Sequence, residues 1–387
     1  MLKLRNFYYI THIDNLSSVL DKGILSHKRI VEDKIPFTPI YDAEIVARRK
    51  NIKTPDNRNL WDFVNLYFQP RNAMMYRVVF FSGKNTDDII LIGVKSSILN
   101  RPNIYITTGN AVSSDSEILP VSQKDVDKIR KQTDKEWWAT EDGSKRILMA
   151  ECLIPDKIEP EYIQEVYVVN HNALTKVRQL VGQNKIPIIP EPSLFFLPSR
   201  KIELTENLSL VEGDMFFSRM QTLTVSVNTV GVMGKGLASR AKYQFPDVYV
   251  AYQDLCRNKT LKMGHPYLYK RESSLDYILA DESERLSNIN LKTHFLLFPT
   301  KSDWRKMADI KGIEQGLKWL VSNYKKEGIE SLAIPALGCG LGWLDWGIVG
   351  PLLCRYLKQL DVPVNLYLPI EKKIPEEQLS EGFLLGD

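Results

Sequence analysis

The sequence predicts two domains of different architecture, an α+β domain with a split antiparallel sheet followed by an α/β/α three-layer domain whose sheet is mixed and mostly parallel. Three observations carry this prediction. The chain has 387 residues with 44% hydrophobic content, enough for two cores. A stretch holding four prolines, residues 186–199, interrupts every periodic pattern. After it, strand-like runs alternate with helical ones; before it, strand-like runs come with polar helices of a different rhythm.

The boundaries that follow are 1–190 for the first domain, 191–201 for a proline-rich linker, 202–372 for the second domain and 373–387 for a tail. The linker reads equally as a free tether or as a hinge docked by its phenylalanines. Residues 1–10 already read as a strand and lack a signal-peptide pattern, and no apolar run approaches membrane length. Four cysteines, Cys152, Cys256, Cys339 and Cys354, stand without metal-ligand spacing, so no metal is expected and a reducing, cytoplasmic compartment is. A net charge of +4 neither demands nor excludes nucleic acid.

In the first domain, residues 14–23 read as a short helix capped by Asp14 or Asn15 and ended by Gly23. Strands are expected over 76–81, 89–94, 104–107, 147–154 and 166–169. Glu151 interrupts the apolar run 147–154, which is costly unless the carboxylate is paired or faces a cleft. His12 and Arg71 also stand beside strand-like or aromatic stretches. Together a histidine, an arginine and a glutamate suit cleavage of a glycosidic bond in NAD: one fixes the ligand, one grips phosphate or polarises the acceptor, and one steadies an oxocarbenium-like transition state. Arg48, Arg49 and Lys50 read either as phosphate contacts for a DNA strand or as the solvated face of a helix over 43–53. Trp137 and Trp138 read either as base-stacking platforms or as core.

In the second domain, strands are expected over 208–211, 223–227, 295–298, 332–334 and 364–368, with helices over 310–324 and 345–360. Two of these strands run into glycine-rich turns, Asn228-Thr-Val-Gly-Val-Met-Gly-Lys-Gly236 and Leu337-Gly-Cys-Gly-Leu-Gly342. Exposed backbone N–H groups in such turns suit a diphosphate. Neither turn has the GxxxxGK[ST] spacing of a P-loop or the GxGxxG of a dinucleotide fold.

Gly213-Asp214, the 228–238 turn, Phe298-Pro-Thr-Lys301 and the 334–342 turn together resemble a macrodomain, and most nearly its DarG branch of DNA ADP-ribose glycohydrolases. The resemblance implies an ADP-ribose site with Asp214 at the adenine. Asn228, Gly231, Val232, Met233, Gly234 and Gly236 would surround the distal ribose, and Gly338, Cys339, Gly340 and Leu341 the diphosphate. Lys301 becomes the catalytic residue, able to attack the ring-opened sugar as an amine. One departure stands out: protein-directed relatives carry an acid where this chain has Gly342, and the next carboxylate, Asp345, reads as a helix cap.

Thr11-His-Ile-Asp-Asn-Leu16, Pro70-Arg-Asn-Ala-Met-Met-Tyr76, Thr107-Thr-Gly-Asn-Ala111 and Lys145-Arg-Ile-Leu-Met-Ala-Glu-Cys152 resemble the DarT ADP-ribosyltransferases that modify bases in single-stranded DNA. The resemblance implies Glu151 and Arg71 as catalytic residues, His12, Asn15 and Arg71 as NAD ligands, and Arg48, Arg49, Trp137 and Trp138 on the DNA side. The expected partners are NAD, single-stranded DNA and ADP-ribosylated DNA, with no membrane, and the two domains are candidates to dock on each other. The resulting expectation is a toxin-antitoxin fusion in which one half writes ADP-ribose onto a base, thymidine by preference, and the other erases it. Guanine as acceptor, a protein-directed transferase and a macrodomain that only binds ADP-ribose are the alternatives.

Overall fold

The computed structural model describes residues 6–41, 43–286, 289, 292–369 and 372–386. The first five residues of the strand expected from residue 1 lie outside this set. The chain divides into two compact units, one of Met1–Phe196 with Ile278–Leu286, the other of Leu197–Tyr277 with Ser287–Asp387.

The first unit is built on strands β1 (Phe7–His12), β2 (Phe63–Tyr67), β3 (Ile89–Val94), β4 (Tyr105–Thr107), β5 (Ile118–Pro120), β6 (Glu151–Pro155), β7 (Ile163–Val168) and β8 (Ile188–Pro190). Their order across the sheet is β8-β7-β3-β1-β2-β6-β4-β5, antiparallel throughout except for the edge pair of β7 and β8. The sheet is split in its middle. β1 runs in register with β3 over six residue pairs but meets β2 at one pair alone, Tyr8 with Tyr67. All six residues of β3 are buried, which explains why that strand reads as a continuous apolar run without alternation.

Three expectations for this unit need correction. Residues 76–81 form part of a helix, Ala73–Phe81, because Asn72 caps it by accepting a hydrogen bond from the Met75 amide at 3.0 Å. An apolar run of that length cannot be told from a strand by periodicity alone. The strand expected over 147–154 is a helical turn, Ser144–Ile147, followed by β6, so Glu151 opens the strand instead of interrupting it. The first unit runs to Phe196, past the boundary expected at 190: β8 pairs with β7, the Glu191 amide donates to the Val168 carbonyl at 2.8 Å, and Phe195 is fully buried, which is the docked alternative for the start of the linker.

Residues 278–286 belong to the first unit although the sequence places them deep in the second half. The Asp281 amide donates to the Ala73 carbonyl at 3.1 Å, and Arg77 donates to the carbonyls of Asp281 and Glu282.

The second unit contains β9 (Arg200–Glu203), β10 (Leu208–Glu212), β11 (Thr222–Asn228), β12 (Tyr267–Lys270), β13 (His294–Lys301), β14 (Leu332–Pro335) and β15 (Val364–Tyr367). The order is β9-β10-β15-β14-β11-β13-β12, parallel in the centre with antiparallel edges. The helices Ile310–Glu327 and Trp346–Leu357 lead into β14 and β15, and β13 and β14 are buried almost along their whole length. The long helix Ile310–Glu327 buries Ile313, Gly316, Leu317, Leu320 and Tyr324, one stripe at helical spacing. A Cβ on Gly316 would stand 2.5 Å from the Phe298 ring, so the glycine lets the helix lie close on β13. The edge strands β9 and β12, half exposed, carry too weak an apolar signal to be expected from the sequence.

The expected tail is integral to this unit. Leu379 and Leu384 are buried in its core, the Trp346 indole donates to the Gln378 carbonyl at 3.1 Å, and Arg200 grips Glu376 through two 2.8 Å hydrogen bonds. Ending the chain at Ile374 would expose the sites of two buried leucines, worth about 3–6 kcal/mol at about 1.5–3 kcal/mol each. Urea unfolding followed by tryptophan fluorescence should show the second unit melting at a clearly lower midpoint; an unchanged midpoint would contradict this packing.

Candidate functional site

The split in the first sheet opens a cleft. Tyr9 on β1 and Tyr67 on β2 face it from the two sides of the gap, with Tyr41, Trp61, Arg49 and Glu151 completing the wall. Glu151 is the register partner of Tyr67, so the residue that opens β6 is delivered to the place where the sheet parts.

Glu151 is 1% exposed. Arg49, at the end of the helix Ala43–Arg49, meets it in a fork: Nη1 donates to Oε1 at 3.1 Å and Nη2 to Oε2 at 2.7 Å. The Ala111 amide donates to Oε1 at 3.2 Å. The Glu151 amide in turn donates to Thr107 Oγ1 at 2.8 Å, and that hydroxyl donates to the Gly109 carbonyl, so the 107–111 turn is tied to Glu151 at its carboxylate and at its backbone. Burial opposes the charge on Arg49, but Glu151 more than offsets it and the guanidinium is held above its ordinary pKa. Burial, and then the Glu151 carboxylate, push the Tyr67 phenol upward. Burial together with neighbouring Glu282 pushes the carboxyl of Asp281, another residue of the cleft wall, up to about 6.

The other residues expected at this site are placed differently. Arg71 does not line the cleft; its guanidinium stacks on Phe196, 5.1 Å from the ring centre. The arginine beside the glutamate is therefore Arg49, which the sequence assigns to a DNA-facing basic run. Arg48, its neighbour in that run, pairs with Glu282. Trp138 is fully buried, its indole donating to the Ile278 carbonyl at 3.1 Å and its ring edge-on to Phe196, so it is core and offers no face to a base. Trp137 is half-buried. His12 is buried at the end of β1, where Nδ1 accepts from the Asp14 amide at 3.3 Å. Asn15 holds the 36–38 segment, accepting from the Thr38 amide at 2.8 Å and donating to its carbonyl at 2.9 Å. It lines a smaller hollow that shares Tyr9 with the main cleft.

In the second unit the two glycine-rich turns follow β11 and β14, at the carboxyl ends of parallel strands. Asn228 ends β11 and is spent on shaping the first turn. Its Oδ1 accepts from the amides of Val230 and Val232, its Nδ2 donates to the Val232 carbonyl, and the buried Tyr252 hydroxyl braces it at 2.9 Å. Asp214 accepts from the Phe216 amide and takes two hydrogen bonds from Arg240 at 2.8 and 2.7 Å; Arg240 also lies over the rings of Phe216 and Phe217. Asp345 accepts from the Gly347 amide at 2.8 Å, the helix cap its position predicts.

Lys301 ends β13, register partner of Asn228, and its Nζ donates to the Leu341 carbonyl at 2.7 Å. It thereby reaches across from the strand to the second turn. Burial pulls its ammonium below the ordinary lysine value. The second turn closes on itself: the Leu344 amide donates to the Gly338 carbonyl at 3.0 Å, and the Gly342 carbonyl accepts from Ala308 at 3.1 Å. A Cβ on Gly342 would fall 2.3 Å from the Gly338 carbonyl oxygen. The missing acid at this position is thus a steric requirement, because no side chain of any kind fits there. Among the described residues there is no cluster of His, Cys, Asp and Glu fit to hold a metal ion, and no helix long and apolar enough to cross a membrane.

A split-sheet cleft floored by an arginine-paired glutamate, followed by a three-layer unit with two strand-end glycine turns and a lysine between them, defines an ADP-ribosyltransferase domain joined to a macrodomain. The family model for DarT, the ssDNA thymidine ADP-ribosyltransferase, matches residues 8–196. The DNA ADP-ribosyl transferase-DNA ADP-ribosyl glycohydrolase fusion protein of Thermosipho africanus is 58% identical over 384 residues, covering 99% of each chain. The solved structure of Thermosipho africanus DarTG in complex with ADP-ribose, 57% identical, superposes with a TM-score of 0.93 over 98% of this chain and 100% of that one. A DNA ADP-ribosyl glycohydrolase of Thermus aquaticus is 33% identical over 165 residues, 42% of each chain. The chain belongs to the family of DarT-DarG fusion proteins, which join a DNA ADP-ribosyltransferase to a DNA ADP-ribosyl glycohydrolase.

Sequence reasoning missed Arg49 as the partner of Glu151 because 102 residues separate the two and no local pattern links them. The only signal was that a buried glutamate needs a cation. Removing that cation should cost about 3–5 kcal/mol, since it strands a buried charge. Arg49→Ala is therefore expected to lower urea stability sharply in the native chain and far less in a Glu151→Gln background. Equal losses in both backgrounds would show that Arg49 acts by packing alone.

Proposed function

We propose that the first unit transfers ADP-ribose from NAD to thymine in single-stranded DNA, and that the second unit hydrolyses the resulting adduct through Lys301. The observation that carries the writer reading is the Glu151 carboxylate, gripped by the Arg49 fork in the wall of the cleft where the first sheet parts. The N-glycosidic bond between the ribose C1″ and nicotinamide breaks, nicotinamide leaves, and positive charge develops on the sugar. A fixed carboxylate beside that charge stabilises it without reorganising. A ring nitrogen of the base then bonds to C1″ and its proton passes to solvent. Tyr9, shared by the cleft and the hollow at Asn15, lets NAD extend from Glu151 toward Asn15 and the end of β1 at His12. The arginine role implied for Arg71 passes to Arg49, which touches Glu151. The thymine assignment rests on the family model that matches this unit.

For the eraser, Lys301 stands between the turns proposed to hold the distal ribose and the diphosphate, with Asp214 toward the adenine. The adduct's sugar opens at the C1″–O4″ bond, O4″ taking a proton from solvent while the base stays on C1″, the neutral amine of Lys301 adds to C1″, and the C1″–base bond breaks as the base departs with a proton, leaving a Schiff base on the lysine. Water then releases ADP-ribose and regenerates the lysine. The depressed pKa of Lys301 makes the neutral amine available at lower pH than for an ordinary lysine.

The writer is tested with the full-length chain, NAD and oligonucleotides that contain either thymine or guanine as the sole modifiable base. In a Lys301→Ala chain the thymine oligonucleotide should gain the mass of one ADP-ribose, and the wild type should release nicotinamide when that DNA is present. Glu151→Ala should abolish both signals. Modification of the guanine oligonucleotide alone would overturn the thymine assignment, and label on protein alone would overturn the DNA reading. For the eraser, kcat/KM on purified adduct should rise with pH toward a plateau whose midpoint lies below the ordinary lysine range, with Lys301→Arg inactive throughout. Complete removal of the adduct by Lys301→Ala would refute the amine mechanism.

A further inference from the structure

The loops around Lys301 carry large apolar side chains in water. Trp343 is 65% exposed, Met307 56%, and Trp304 and Leu341 49% each. A single exposed hydrophobic residue needs no explanation, but a contiguous group does. These are contiguous through the backbone. Lys301 Nζ reaches the Leu341 carbonyl, the Ala308 amide donates to the Gly342 carbonyl at 3.1 Å, and Thr229 Oγ1 donates to the Ser302 carbonyl at 3.0 Å. The segment 302–308, the turn 338–343 and the start of the first glycine turn therefore meet around one lysine.

Two features separate Trp343 from a stray surface residue. Its φ is +61°, a conformation that L side chains adopt rarely and that costs of order 1 kcal/mol or more. The indole is also placed over Lys301, with Nζ 5.6 Å from the ring centre. Trp304 stands three residues beyond Lys301 with the Arg305 guanidinium 4.6 Å from its ring centre, and Lys306 follows, exposed. The carboxylate in this segment, Asp303, is turned to its own backbone, accepting from the Arg305 amide at 2.9 Å. Indole faces interleaved with cations are what a single strand of nucleic acid needs: planar faces for its bases and positive charge for its phosphates.

The geometry points to Trp343 and Trp304 as a stacking platform that holds the unpaired bases flanking the ADP-ribosylated nucleotide while Lys301 attacks it. This inference rests on the reading of Lys301 as the eraser's catalytic residue. The platform selects an adduct carried on a DNA strand over the same adduct on a free nucleotide. The glycine turns hold ADP-ribose, common to both substrates, and the tryptophans hold what only the strand has. Trp343 and Trp304 are specificity residues in this scheme, and they make no bond to the reacting carbon.

The test compares full-length chains without NAD, so that no base is rewritten, on three substrates: an ADP-ribosylated nucleotide, the same adduct within a short single strand, and that strand with abasic sites on both sides. The readout is the ratio of kcat/KM on the strand to kcat/KM on the nucleotide. Trp343→Ala and Trp304→Ala should each lower this ratio about tenfold, the size of one lost base stack, through KM on the strand. Trp343→Phe should keep most of it. Abasic flanks should cost the wild type a similar factor and cost the alanine variants little more. A ratio unchanged in both alanine variants, or abasic flanks that cost the wild type nothing, would overturn the platform. A wild type that hydrolyses neither adduct would instead sink the eraser reading beneath it.

Discussion

A carboxylate that is 1% exposed needs compensation, and in the first unit most of the architecture around the cleft supplies it. The helix Ala43–Arg49 ends where its last side chain can reach Glu151, and the 107–111 turn folds so that an amide and a hydroxyl close on the same residue. β6 begins at Glu151 itself. The gap between β1 and β2 is the other half of this arrangement. A sheet fully paired at that point would leave no room for a ligand, whereas one shared pair, Tyr8 with Tyr67, keeps the two halves joined and the cleft open.

The second unit solves the opposite problem. Under the proposed amine mechanism Lys301 must lose its proton to act, and the structure ties it to the Leu341 carbonyl while burial lowers its pKa. Lys301 sits at a strand end, where β13 stops and the chain turns outward, and the acid found in protein-directed relatives is excluded by the closeness of Gly342 to the Gly338 carbonyl. That same closeness draws the second glycine turn into a tight loop and brings Leu341 under the lysine.

How much of this was legible in the sequence varies with how local each feature is. The central strands of the second unit and the helices Ile310–Glu327 and Trp346–Leu357 announced themselves by periodicity, and Asp345 announced itself as a cap, whereas the helix Pro246–Arg257 gave no such signal. Glu151 was conspicuous as a charge in an apolar stretch. Its partner was not, since the pair closes over 102 residues. The basic run that holds Arg49 read as phosphate contacts for DNA or as a solvated face, and only tertiary structure shows one arginine of it turned inward to Glu151. Trp138 read either as a base-stacking platform or as core, and its full burial places it in the core. Residues 278–286 could not have been assigned from sequence at all, because nothing in their composition distinguishes the unit they join.

Placing both chemistries on one chain changes what each must achieve. A covalent link keeps the eraser near the writer at an effective concentration of order millimolar, whatever the orientation of the two units. At that concentration affinity for ADP-ribose alone is not the limiting property of the eraser. Free ADP-ribose and its nucleotide conjugates would compete for the same glycine turns, and an eraser that bound them equally well would spend its occupancy on them. Discrimination must then come from what the DNA strand alone offers, its neighbouring bases and phosphates. In the proposed scheme such discrimination resides around Lys301, where the chain places exposed indoles and cations.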